Sequence, residues 1–187
     1  MDKKELEKRQ KAVLSGICEA YLENDVAAAI TPGDEVGSAD MLIVQHTDTG
    51  KEIDEILGAY YFLPAAENIG PFQYFVTTLT LSEEIPKQAQ ESLTAAVAVI
   101  NTLISFGTFT ISPDKTVISY RHVTLLPDDT GEDILSLTVH GTMLNALSEV
   151  AVWADELDAL EYGRITYDEF LKFCHELQAL LLKQKKM

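Results

Sequence analysis

Ten consecutive residues, Phe72 to Leu81 (FQYFVTTLTL), are rich in aromatic and β-branched side chains, and the chain then changes period: Leu93, Val97, Ile100 and Ile104 recur every three or four residues. The first pattern suits a pleated strand, whose successive side chains point to opposite faces. The second suits one face of an α-helix. A chain carrying both has to lay that helix against a sheet. Pro86 suits the first turn of the helix, and Gly107 suits a left-handed C-terminal cap. Ala95, Ala96 and Ala98 keep its surface small, so the helix is expected to cover the inner face of the sheet.

The flanking segments extend the same plan. Leu6, Val13, Ile17 and Tyr21, with Leu14 and Cys18 beside them, predict a first helix between Glu5 and Asn24. Pro32-Gly33-Asp34 prevents its continuation. Met41 to His46 is a short apolar run, Asp48-Thr49-Gly50 supplies a hairpin reversal, and the partner strand falls within Ile53 to Leu63, where the aromatic cluster and Gly58 favour strand over helix. Downstream, TFTIS and TVISYRHV flank Ser112-Pro113-Asp114-Lys115 as a second hairpin. Thr130 and Asp133 resemble a capping pair for a helix whose stripe runs through Met143, Leu147, Val150, Trp153 or Ala154, Leu157 and Leu160. A last helix follows from about Tyr167 to Lys183, on Phe170, Cys174, Leu177 and Leu181.

The expected fold class is therefore α+β: a five-stranded antiparallel sheet with helices packed mainly on one face, in the order α-βββ-α-ββ-α-α. A single domain is expected over 1-187, with an N-terminal helix region over 1-30, the sheet and central helix over 41-124, and C-terminal helices over 130-187. At 187 residues and 47% apolar, the chain can build a packed core without disulfide or metal.

Charge narrows the partners. The net charge is -16, and residues 17 to 182 hold six basic against 27 acidic groups, while residues 1 to 16 and the last five are net basic. So acidic a body repels phosphate backbones and anionic membrane surfaces. No nucleic acid and no membrane partner is expected; a basic or amphipathic polypeptide remains compatible. The longest unbroken apolar run, Ala95 to Ile100, is far too short to span a bilayer. The charged start MDKKELEKRQK lacks the apolar stretch of an export signal, and Cys18 and Cys174 lie far apart, so a reducing, cytoplasmic setting is expected.

Little in the chain points to bond chemistry. Asp158 to Phe170 resembles half of an EF-hand calcium loop, with Asp158 and Glu169 as the candidate metal ligands. Leu160 and Tyr162 occupy the third and fifth loop positions and offer no carboxylate. The same residues serve a metal-free account in which Gly163 caps one helix and Thr166 with Glu169 forms the capping box of the next. His46, His122, His140 and His175 are dispersed, no H-E-x-x-H, G-x-S-x-G, G-x-G-x-x-G or P-loop pattern occurs, and no cofactor is expected. Cys174 and His175 diverge by about 100° on a helix and cannot readily act as nucleophile and base. An enzyme built from dispersed carboxylates and His122 is the alternative to a binding role, and would require a deep pocket with strongly perturbed groups.

The aromatic group Tyr60, Tyr61, Phe72, Tyr74 and Phe75, together with Phe62, supplies the candidate interaction surface. Alternation divides it, half toward the core and half outward. An uncovered outward set would form an apolar patch suited to self-association or another polypeptide.

Ala96 to Asn101 (AVAVIN), Gly107-Thr-Phe109 and Ile118-Ser-Tyr120-Arg121 resemble the N…G-x-F…y-R pattern of YbjN-type proteins, which belong to the type III secretion chaperone-like superfamily. The element order up to Arg121 is similar to that fold over about two-thirds of the chain. Two departures stand out: the C-terminal helix pair is longer than the usual single closing helix, and the region before Met41 is extended. The resemblance implies a non-enzymatic bacterial protein, chaperone-like or regulatory, that binds a protein or peptide client and is commonly a homodimer.

Overall fold

The computed structural model describes residues 2–33, 39–47, 49, 55–64 and 70–184. Helix α1 (Lys3–Glu23) leads into strand β1 (Ala28–Thr31), then β2 (Met41–Thr47), β3 (Glu55–Phe62) and β4 (Phe72–Ser82). Helix α2 (Gln90–Leu103), strands β5 (Thr108–Ile111) and β6 (Ile118–Pro127), and helices α3 (Glu132–Glu161) and α4 (Tyr167–Gln184) complete the chain. All strand pairs are antiparallel, in the spatial order β1-β2-β3-β4-β6-β5. The α+β class is as expected, but the sheet has six strands rather than five.

The additional strand is β1, AAIT, whose four residues, only Ile30 and Thr31 of them β-branched, are too few to show a period of their own. Its position comes from the end of α1. There the Val26 N–H donates to the Tyr21 carbonyl and Asp25 adopts φ 59°, a left-handed turn that sends the chain back along β2. Three expected helix ends also differ, the first being the start of α2, which lies at Gln90 with Ala89 as N-cap, so that Pro86 falls in the preceding turn rather than in the first turn of the helix. Helix α2 stops at Leu103, and Gly107, at φ 72°, serves the turn into β5 rather than the helix cap. Gly131 is the N-cap of α3, and no side chain of a Thr130–Asp133 pair bonds there. Asp48 and Gly50, read as the hairpin reversal, and Asp34 lie outside the described residues.

Three helices share the inner face of the sheet: α1 over β1 and β2, α3 over β4 and β6, and α2 against β5. Helix α2 is thus not the sole backing. The longer α3 takes the centre because its Leu135, Val139, Met143, Ala146 and Val150 recur at helical spacing and are all buried. Helix α4 packs on α2 and α3, through buried Phe170 and Cys174. Tyr60, Phe62, Phe75, Leu79, Phe109 and Tyr120 enter the core from the sheet.

Polar bonds fix α1 in place. Buried Gln10 donates to Gln73 at 3.0 Å, and Arg9 donates to the carbonyls of Asp128 and Thr130, tying the first helix to the loop that launches α3. None of the helices among the described residues is long and apolar enough to cross a membrane.

Candidate functional site

The residues that carry the family resemblance form one structural unit. Asn101, near the end of α2, accepts from the Phe109 N–H at 2.9 Å and donates to the Phe109 carbonyl at 2.9 Å, mimicking a neighbouring strand at the start of β5. A Cβ at Gly107 would lie 2.1 Å from the Tyr120 hydroxyl oxygen, and that hydroxyl donates to the Phe106 carbonyl at 3.1 Å. The Phe109 and Tyr120 rings pack edge-on, 5.2 Å apart. These contacts brace α2 against the β5–β6 hairpin. Arg121 falls on the opposite side of β6, exposed and in register with Thr78 and Thr108.

The candidate metal ligands Asp158 and Glu169 are engaged by protein groups. Asp158, in the last turn of α3, pairs with Arg164. Glu169 accepts from both the N–H and the hydroxyl of Thr166 at 2.8 Å, and the Thr166 hydroxyl accepts from the Glu169 N–H at 3.3 Å. This is a capping box, and the Thr166 backbone N–H holds the Glu169 carboxyl below its ordinary pKa. Gly163 takes φ 68° and the Arg164 N–H reaches the Ala159 carbonyl at 2.8 Å, closing α3. Among the described residues, no three His, Cys, Asp or Glu side chains are grouped as metal ligands.

The histidines occupy separate environments. His122 is half-buried on β6, its ring edge-on to Phe106 with centroids 5.7 Å apart, and burial lowers its pKa. His46 is buried, bonded through Nε2 to the Tyr60 hydroxyl at 2.6 Å, and burial lowers its pKa to about 4. Tyr21 of α1 packs edge-on against both His46 and His140, so one tyrosine links β2 to α3. A Cβ at Gly58 would meet the Tyr60 ring at 2.5 Å; the glycine therefore makes room for Tyr60 to reach His46.

Strand alternation decides the aromatic surface. Tyr60 and Phe75 are fully buried beneath the helices, which removes them from any interaction surface. Tyr61, Phe72 and Tyr74 lie on the other side of the sheet. There Tyr61, Val76 and Val123 stand in one cross-strand row, and Leu125 sits opposite Tyr74. Phe72, Val123 and Leu125 are exposed, Leu125 at 50%. No helix packs on this face among the described residues. Its far end is polar, through Thr78, Thr80, Ser119 and Arg121.

The helical layer has a second apolar exposure, one missed by reading the stripe of α3 as core alone. Leu137 and Leu144 of α3 are exposed, and a groove of ≈ 520 Å³ separates α3 from α1, lined by Ile17, Ala20, Tyr21, Val26 and Leu137 together with the polar Asn24, Asp133, Ser136 and His140. The available signal was that α3 is apolar on more than one side and contains no lysine or arginine. A further hollow of ≈ 510 Å³ adjoins the basic start of α1, where Lys11 pairs with Asp40 at 3.0 Å. The Gly33 N–H, then Lys11, lowers the Asp40 pKa.

Comparison with known proteins yields no matching family model and no matching curated protein.

Proposed function

We propose that the chain is a non-enzymatic polypeptide-binding module, chaperone-like or regulatory in role and of the YbjN type within the type III secretion chaperone-like superfamily. It acts as a homodimer in the bacterial cytoplasm and holds its client through sheet and helix surface. The observation that carries this reading is the sheet face on which no helix packs among the described residues, where Phe72, Val123 and Leu125 are exposed and Tyr61 and Tyr74 half-buried around a buried Val76. Exposed apolar side chains gathered on one face are what a polypeptide interface buries. The face also avoids the repulsion that its net charge of -16 imposes elsewhere, because its apolar end carries no carboxylate among these residues.

A photo-crosslinking amino acid at position 125, incorporated in the source cells, tests the reading, with position 87, an exposed lysine, as control. Adducts at 125 to a second copy and to a client polypeptide are expected, with light scattering giving twice the chain mass. Absence of any polypeptide adduct specific to position 125 overturns it.

A further inference from the structure

Helix α3 presents two apolar faces, and only one is used by the fold. The inner face is buried against β4 and β6. On the outer side, Ile134, Leu137, Gly141, Leu144, Ser148 and Ala151 follow one another at alternating steps of three and four residues, the spacing of a helix–helix seam. Ile134 is 64% exposed, Leu137 74% and Leu144 47%. Apolar side chains this open contribute nothing to the core, and Gly141 and Ser148 between them leave space for an approaching backbone. The groove toward α1, where Ala20 is also small, widens the seam on one side.

Charge selects the occupant. Helix α3 has no lysine or arginine, and Glu132, Asp133 and Asp155 bracket the seam in sequence; of its other carboxylates, Asp158 is paired with Arg164 and Glu161 is buried against Ser82. The groove is lined by one carboxylate, Asp133, and the exposed Glu19 and Glu23 of α1, with Asp25 just after it, neighbour the lining residues Ala20, Tyr21 and Asn24 in sequence, with no basic residue of α1 after Lys11. A second copy docked here would set acidic helix against acidic helix, and like charges in apposition oppose association. An anionic lipid surface is repelled on the same ground. A helix with leucine-type side chains on one face and lysine or arginine beside them meets both the apolar seam and its acidic surround.

We infer that the outer seam of α3, with the groove between α3 and α1, is the docking site for a cationic amphipathic helix of a partner protein. The inference rests on the polypeptide-binding role proposed above and gives that role a second contact, on the opposite side of the molecule from the sheet face.

The probe is a fluorescent leucine–lysine peptide of about 18 residues, matching the seam at about 1.5 Å per residue, titrated against the full chain. A scrambled peptide of the same composition and a leucine–glutamate counterpart serve as comparisons. The double substitution Leu137→Asp, Leu144→Asp makes the site more acidic while removing its apolar anchors, so it separates docking from unspecific attraction. The amphipathic peptide is expected to bind, with weakening by about tenfold or more in the double variant and by added salt. Equal binding of the scrambled peptide, or unchanged or tighter binding by the double variant, overturns the inference. Because both leucines are exposed, an unaltered circular dichroism spectrum is expected; Leu144→Gln alone, expected to weaken binding in part, supplies the second variant. Light scattering on the double variant separates the two proposals: unchanged dimer mass leaves the sheet contact standing, whereas a shift to monomer assigns α3 to self-association and sinks the inference.

Discussion

The Asn101 carboxamide bonds to both backbone polar groups of Phe109, at 2.9 Å each, so the end of α2 acts as an extra strand edge for β5. Asn101→Ala removes both bonds and is expected to destabilise the fold by about 1–2 kcal/mol. Asn101→Asp keeps the acceptor for the Phe109 N–H but sets a carboxylate against the Phe109 carbonyl, and is expected to be no more stable than the alanine variant. Denaturant unfolding checks the order: an aspartate variant as stable as the native chain would contradict the two-bond geometry.

Two glycines provide a matched comparison. Gly107 and Gly163 both have left-handed φ, 72° and 68°, but a Cβ at 107 strikes Tyr120 whereas one at 163 meets nothing within 4 Å. Gly163→Ala should cost only the backbone strain, about 1 kcal/mol. Gly107→Ala adds the displacement of a buried tyrosine and should cost about 2–4 kcal/mol. Melting temperatures of the two variants measure the difference directly.

His46 should make the protein acid-sensitive. Its pKa is about 4 in the folded chain because burial disfavours the charged ring, against about 6.5 when unfolded. The unfolded state therefore binds the proton more readily. Stability from this group is complete above about pH 6.5 and falls as pH drops toward 4, by up to about 3 kcal/mol. His46→Gln should be less stable at neutral pH yet show a shallower loss across that window. Parallel slopes for the two proteins would remove His46 as the cause.

Glu161 behaves in the opposite sense. Its carboxyl is buried near the end of α3, accepts from the Ser82 hydroxyl at 2.8 Å, and has its pKa raised by burial. Ionisation costs more in the folded state, so this group lowers stability as pH rises through its titration. Glu161→Gln retains an acceptor for Ser82 without the charge. Its melting temperature should exceed that of the native chain at pH 7, and the gain should vanish near pH 4, where the unfolded glutamate also protonates.

The capping box at Thr166 and Glu169 and the glycine cap at 163 were readable from residue order, because both involve neighbours within one turn. The metal reading of Asp158 and Glu169 drew on the same residues but needed ligands that Leu160 and Tyr162 cannot supply. The groove between α1 and α3 had no such local signature, since its walls are more than 100 positions apart.

Residue order by itself determined the strand and helix periods, and with them the division of Tyr60 and Phe75 from Tyr61 and Tyr74, because pleating places successive side chains on opposite faces whatever surrounds them. Only the tertiary structure decided which of those faces the helices cover, that AAIT pairs with β2 as a sixth strand, and that α3 rather than α2 lies across the centre. Those outcomes depend on contacts between distant segments, and such contacts are selected by the packing of the whole core rather than by any local pattern.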